Sequence, residues 1–269
     1  MATYKGIQGY SVQTLASDPS PAASVEGQLW FNSTSSTYKI AMSGTGAWAA
    51  GTNMTTLAAR GAAGPTTAAI QFGGKYPTPT QFALTETYDG STWTEVADLN
   101  TARNYGCPAE QGTQTAAFFA SGTTHSVDGT WCESYNGTCW SEVADTTTTH
   151  AYSSGAGTST ASLAIGKGPA PQGTVESWNG SAWSEVGDLN TARYYLSAAG
   201  TQTAGLAFSG EPNLASNESW NGTTWTEVAD LTTPRQEGQG CGIQTAALMV
   251  GGKAPPGETA KTEKWNGSS

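Results

Sequence analysis

The sequence predicts an all-β chain: a five-bladed β-propeller closed by its own N-terminal strand, with a β-hairpin arm in front of it. A repeat is the first observation behind this. Glu86–Arg103 reads ETYDGSTWTEVADLNTAR, near-copies occupy Glu133–His150, Glu176–Arg193 and Glu218–Arg235, and a truncated copy ends the chain at Glu263–Ser269. Spacing is the second. An anchor Trp recurs at Trp48, Trp93, Trp140, Trp183 and Trp225, at intervals of 45, 47, 43 and 42 residues. Composition is the third. With 34 Gly, ten Trp, ten Tyr and only 12% charged residues, the chain suits short strands and turns rather than helices. A unit of this length holding four short strands matches a propeller blade.

Taken in order, residues 1–44 stand outside the repeat and form the arm. Met1–Val12 is polar and aromatic, and Asp18–Ala23 (DPSPAA) is a connector that resists regular structure. Two β-like runs follow, Glu26–Asn32 and Thr37–Ala41, joined by the polar bridge Ser33–Ser36, and they predict a hairpin. Residues 45–269 form the propeller. After each anchor Trp comes a short outer strand such as Thr94–Asp98, then a connector ending in a basic residue. A small-residue run such as Ser197–Gly200 follows, then the polar turn Gly200–Thr203 and an apolar strand ending at Gly, such as Ala246–Gly252. A variable loop leads to the third strand and a tight turn. That turn is Asp89-Gly90, Asn136-Gly137, Asn179-Gly180, Asn221-Gly222 or Asn266-Gly267, residue types that accept positive φ.

Five blades leave a narrow centre, so the innermost strands need the Gly, Ala and Ser runs. Ile70, Phe72, Phe118, Leu163, Ile165, Leu206, Phe208, Leu248 and Val250 are expected to pack between blades. The pairs Tyr88/Trp93, Tyr135/Trp140, Trp178/Trp183 and Trp220/Trp225 are expected to cover outer parts of the sheets. The last copy lacks its fourth strand, and Gly46–Gly51 is a fourth strand lacking the other three. Joining Trp265–Ser269 to Ala47-Trp48 gives WNGSS–AW, against WNGSAW at residues 178–183. The N-terminal strand is therefore expected to complete the C-terminal blade, which would remove an unpaired edge.

An apolar strand ending in Gly-Gly, followed by an aromatic residue and a Trp, resembles the Kelch repeat. Gly73-Gly74 with Tyr88 and Trp93 fits, as does Gly251-Gly252 with Trp265, while Ser121-Gly122, Gly166-Lys167-Gly168 and Ser209-Gly210 depart from the double glycine. The resemblance spans residues 46–269 and implies fold rather than chemistry. Glu26 to Gly46, with Gly27-Gln28-Leu29-Trp30-Phe31-Asn32-Ser33, resembles hairpins of bacteriophage tail-fibre and other virion proteins. That resemblance implies an attachment module ahead of a variable distal domain. Residues 1–44 would dock to other virion proteins, with Trp30, Phe31 and Tyr38 as candidate attachment residues.

The charge balance narrows the functions. Eleven Lys and Arg against 21 Asp and Glu, a net charge of −10, argue against nucleic-acid phosphates and anionic membrane surfaces. No run approaches the ~20 apolar residues of a membrane span, so no membrane insertion is expected. Met1–Gly9 has no apolar run, so no cleaved signal peptide is expected. Among Cys107, Cys132, Cys139 and Cys241, Cys132 and Cys139 could staple a hairpin, the alternative being four free thiols.

Four features are candidates for chemistry. Arg60, Arg103, His150, Arg193 and Arg235 recur at one end of the units. They could form a cationic ring for an anion, or they could bond carbonyls and neighbouring acids such as Asp98, Asp145, Asp188 and Asp230. The variable loops carry Lys75, Tyr76, Pro77, His125, Asp128, Lys167, Glu211, Asn213 and Lys253, and diverge beside constant repeats as a recognition surface would. Neither His125 nor His150 has metal-ligand or triad spacing, and the repeated acids suit a scaffold better than a glycosidase pair. No catalytic residue, metal or cofactor is therefore expected. The sequons at Asn136, Asn179, Asn221 and Asn266 are explained by turn chemistry. The expectation is a non-enzymatic, multicopy virion component, either a tail-fibre or receptor-binding protein or a capsid decoration protein. It would meet a host surface glycan or protein. The alternative is a non-viral propeller at a cell surface or secreted.

Overall fold

Short apolar runs alternating with Gly and Asn-Gly turns fold into small antiparallel sheets. The structure, a computed structural model, describes residues 13–15, 29–32, 37–40, 52–54, 61–75 and 80–268. It divides into two compact units, Met1–Gly51 and Thr52–Ser269. In the first, β1 (Gln13–Leu15) pairs parallel with β2 (Leu29–Asn32), which forms an antiparallel hairpin with β3 (Thr37–Ile40). The hairpin is the one expected from sequence; the parallel strand β1 was not foreseen.

The second unit is a five-bladed propeller. Blade 1 is β4 (Gly61–Ala63), β5 (Ala69–Phe72), β6 (Thr85–Tyr88) and β7 (Trp93–Glu95), hydrogen-bonded in chain order. Blade 2 is β8 (Cys107–Pro108), β9 (Phe118–Thr123), β10 (Asp128–Tyr135) and β11 (Trp140–Val143). Blade 3 is β12 (Ser154–Thr158), β13 (Ala161–Lys167), β14 (Gln172–Trp178) and β15 (Trp183–Glu185). Blade 4 is β16 (Ser197–Thr201), β17 (Ala204–Phe208), β18 (Asn217–Trp220) and β19 (Trp225–Val228). In blade 5, a small hairpin of β22 (Lys253–Ala254) and β23 (Gly257–Glu258) separates β20 (Gln239–Ile243) and β21 (Ala246–Val250) from β24 (Thr262–Trp265). The expected closing strand around Trp48 lies outside the described residues.

Close approach at the axis explains the small inner strands. A Cβ on Gly155 would stand 2.5 Å from the Pro108 carbonyl oxygen, and one on Gly240 would stand 2.9 Å from that of Ala198. Larger residues lie further out and form an apolar core between each of blades 1 to 4 and the blade after it. Ile70 and Phe72 meet Phe119 and Trp140, and Phe118 meets Trp178 and Trp183. Leu163, Ile165 and Val175 meet Trp220 and Trp225, and Leu206 and Phe208 meet Ala247 and Met249. The aromatic pairs face each other across strands three and four: Trp178/Trp183 at 5.4 Å and Trp220/Trp225 at 5.3 Å between ring centroids.

One packing expectation is corrected. Leu248 is 38% and Val250 43% exposed, as is Ile243 at 50%, rather than buried between blades. Strand alternation is the cause: Ala247 and Met249 face blade 4, so Leu248 and Val250 face the other way. On that side no described apolar cluster joins blade 5 to blade 1.

This contrast gives a prediction at two equivalent positions. Leu163→Ala, inside a core, should lower unfolding free energy in denaturant titration by about 2–5 kcal/mol. Leu248→Ala should lower it by under about 1 kcal/mol. Equal losses would contradict the exposure of blade 5.

Candidate functional site

The connector face of the propeller is built around a repeated ion pair. Each basic residue reaches the third strand of the following blade. Arg103 is fully buried, pairs through Nη1 with Glu133 on β10, and donates from Nη2 to the Phe119 carbonyl at 2.9 Å. Arg193 pairs through Nη2 with Glu218 on β18, both fully buried. His150 Nε2 lies 3.1 Å from Glu176 on β14, and its Nδ1 lies 2.8 Å from the Gly166 carbonyl. Arg235 Nη2 lies 3.1 Å from Glu263 on β24, the most exposed carboxylate of the four at 17%. Its Nε and Nη1 are buried without an acceptor among the described residues, so this clasp is the least satisfied.

The carboxylates also tie down the connectors. Glu133 accepts the Asn100 amide at 2.7 Å, Glu176 the Thr147 amide at 2.7 Å and the Thr148 amide at 2.8 Å. Glu218 accepts the Asn190 amide at 2.7 Å, and Glu263 the Thr232 amide at 2.7 Å. Burial pushes the Glu176 carboxyl up, but the His150 bond and the two threonine amides outweigh it and hold it at about 2. Glu263 is likewise held below its usual range: burial raises it, and the Thr232 bonds and Arg235 lower it more. Glu86 repeats the carboxylate position on β6 and is buried. Arg60 lies outside the described residues.

Arg103, His150, Arg193 and Arg235 are thus clasps between blades, not a surface for anions. Their carboxylate partners are not the connector acids: Asp98 instead accepts the Thr85 amide at 3.1 Å. The opposite face has a second clasp, which the sequence reading left without a role. The turn glutamine of one blade bonds the third strand of the preceding one. Gln114 Nε2 donates to the Tyr88 carbonyl at 2.8 Å, Gln202 to Ser177 Oγ at 2.9 Å and Gln244 to Ser219 Oγ at 2.9 Å.

The loops between strands two and three share an end of each sheet with the connectors, since the one-to-two and three-to-four turns lie at the other end. Bridges Tyr194–Glu211 and Gln236–Lys253 join the two sets directly. His125, Asp128 and Lys253 are exposed there, while Lys75, Lys167, Glu211 and Asn213 are half-buried. Tyr76 and Pro77 lie outside the described residues. Trp30, Phe31 and Tyr38 belong to the other unit, on the β2–β3 hairpin, with Phe31 opposite Tyr38.

Nearer the axis, Tyr105, Tyr152, Tyr195 and Glu237 stand at φ of 54°, 60°, 52° and 54°, strained for side-chain-bearing residues. The geometry serves a backbone chain around the mouth. The Tyr152 amide donates to the Tyr105 carbonyl at 2.8 Å, Tyr195 to Tyr152 at 2.6 Å and Glu237 to Tyr195 at 3.0 Å. Burial raises the Tyr152 and Tyr195 phenols above their usual range. These tyrosines were not singled out in the sequence, although each stands two residues after a basic clasp residue.

Two smaller questions close. The four cysteines are free thiols, Cys107 and Cys132 buried, Cys139 and Cys241 exposed. The sequon asparagines cap their own turns: Asn179 Oδ1 accepts the Ser181 and Ala182 amides at 2.9 Å, and Asn136 and Asn221 do the same in their blades. Asp89 fills that place in blade 1, where the Thr92 amide and the Ser91 hydroxyl hold its carboxyl well below the usual range. No protein-family model matches the chain, and no curated protein matches it.

Two predictions test the clasps. Glu218→Gln leaves Arg193 buried without its counter-charge and should cost about 3–5 kcal/mol in denaturant unfolding. Glu176, held at about 2 against an ordinary 4.5, stabilises the fold fully above pH 4.5, and this contribution fades as pH falls through about 2. Unfolding free energy should therefore drop across that window, and the drop should be shallower in Glu176→Gln.

Proposed function

We propose that the chain is a non-enzymatic binding component of a bacteriophage virion: a tail-fibre or receptor-binding protein, or a capsid decoration protein. Its Kelch-like propeller would present the connector face to a host surface glycan or protein. One observation carries this reading. The repeated basic residues and the third-strand glutamates they meet are engaged in clasps between blades, while residues that differ between blades, His125, Asp128, Glu211, Asn213 and Lys253 among them, gather at one end. A rigid scaffold with diverse loops on one face is the usual arrangement of a recognition surface. The resemblance of Gly27–Ser33 to virion hairpins supports attachment through residues 1–44. Many copies on a particle would add avidity to weak single contacts. His150 is fully buried in its clasp, with its ring nitrogens on Glu176 and the Gly166 carbonyl, and so is not presented to a ligand on the connector face.

The test combines location and binding. Antibody labelling of purified particles should place the chain on the virion. Replacing His125–Asp128 and Glu211–Asn213 by Gly-Ser should abolish binding to host cells or to a glycan array while shifting the thermal midpoint by less than about 4 °C. A chain absent from particles would leave only a non-viral surface or secreted propeller. Undiminished binding by the loop variant would remove recognition by this face.

A further inference from the structure

In blades 2 to 4 the anchor Trp that opens the fourth strand is buried against the blade before it, as Trp140, Trp183 and Trp225. Among the described residues blade 5 has no fourth strand, and β24 is paired on one side only, with β21. Beside β24 an apolar cavity of about 210 Å³ opens between blades 4 and 5. Leu206, Phe208, Asn217 and Leu231 wall it from blade 4, and Met249 and Trp265 wall it from blade 5.

These walls are those of an anchor-Trp socket. Around Trp225, blade 3 supplies Leu163, Ile165, Val175 and Leu189. Leu163 stands opposite Ser177 as Leu206 stands opposite Ser219, and Ile165 opposite Val175 as Phe208 opposite Asn217. The Leu189 amide donates to the Gly173 carbonyl at 2.8 Å, as the Leu231 amide does to that of Ala215 at 2.9 Å. On the blade 4 side, Trp220 is paired with Trp225; its blade 5 counterpart, Trp265, has no partner strand on that edge among the described residues. An apolar cavity of about 150 Å³ holds one benzene, so this one has room for an indole. Of the five anchors, Trp48 lies outside the described residues.

Where the described chain resumes after Trp48 decides which copy supplies the indole. A fourth strand runs from the turn end of its blade to the connector end. The fourth residue after the anchor therefore lies at the connector end, as Ala229 does, its carbonyl accepting Asn217 Nδ2 at 2.7 Å. Thr52 is the fourth residue after Trp48, and its hydroxyl donates to the Ser91 carbonyl in the β6–β7 turn, at the opposite end and on blade 1. We propose that blade 5 is completed by a second copy of this chain: residues 46–51 of the neighbour pair with β24, and its Trp48 fills the cavity. Donor and acceptor are different surfaces, so each copy gives one strand and takes one. The proposal concerns how copies join and does not depend on the host-binding reading.

Disulfide trapping in the full chain tests it. Trp220 pairs with Trp225 and Ser219 with Thr226, so the same register puts Ala49 opposite Lys264. With Cys139 and Cys241 changed to Ser, the pair Ala49→Cys and Lys264→Cys should oxidise into a ladder of covalent multimers on a denaturing gel. Light scattering on the unaltered chain should show a mass that rises with concentration, and Trp48→Ala should stay monomeric. A peptide of residues 44–52, GTGAWAAGT, should bind the Trp48→Ala chain saturably in calorimetry, and its Trp48→Ala form at least about tenfold more weakly, from the lost burial of the indole. A disulfide formed within single chains would overturn the proposal, since each chain's own strand would then fill its cavity. So would a mass that stays monomeric at every concentration, or equal binding of the two peptides. The mass measurement uses the unaltered chain and stands whatever the variants do to folding.

Discussion

A carboxylate on the third strand of one blade, buried against a cation from the connector before it, sets how each blade meets the next. Alone, either charge would be strongly disfavoured in this interior. Together they are stable because the remaining lone pairs and protons are also used. Glu218 takes the Arg193 guanidinium, the Asn190 amide and the Thr191 amide at once. Removing one member exposes the others, so the arrangement is demanding rather than merely favourable. Apolar cores tolerate small rotations of one sheet over another; a buried ion pair with aligned amides does not. The clasp therefore specifies the angle between blades, and the cores supply the burial.

The other constant residues follow from this contact. The strand that passes beneath each connector ends at positive φ, in Gly73-Gly74, Ser121-Gly122, Ser209-Gly210 and Gly251-Gly252. At Gly73, a side chain would stand 2.7 Å from the Arg103 carbonyl oxygen. The backbone turns sharply there because it packs onto the residue carrying the cation. On the opposite face the glutamine clasps resist rotation in the other sense. With both faces pinned, loops between strands two and three can vary without loosening the ring. That freedom is what a recognition surface uses.

Much of the fold was legible because blades are local. The period of the anchor Trp, the Asn-Gly turns and the apolar strands each need only neighbouring residues, and the five small sheets follow in the expected order. Contacts between blades were not legible. The sequence offered Arg103, His150 and Arg193 an anion, or backbone carbonyls and acids of their own connectors; they do bond carbonyls, yet their carboxylate partners lie 25–30 residues further along. A repeat shows that Glu133, Glu176 and Glu218 are constant, but not which neighbour they face. Leu248 and Val250 repeat an apolar pattern, and only the three-dimensional order shows that their side lies at the seam.

The central claim is that the buried pair between blades acts as one unit. A double-mutant cycle on Arg103→Met and Glu133→Leu, followed by denaturant unfolding, tests it most directly. The account predicts that each single change is severely destabilising and that the double variant recovers much of the loss, with a coupling of at least about 2 kcal/mol. Losses that add to within about 0.5 kcal/mol would contradict it.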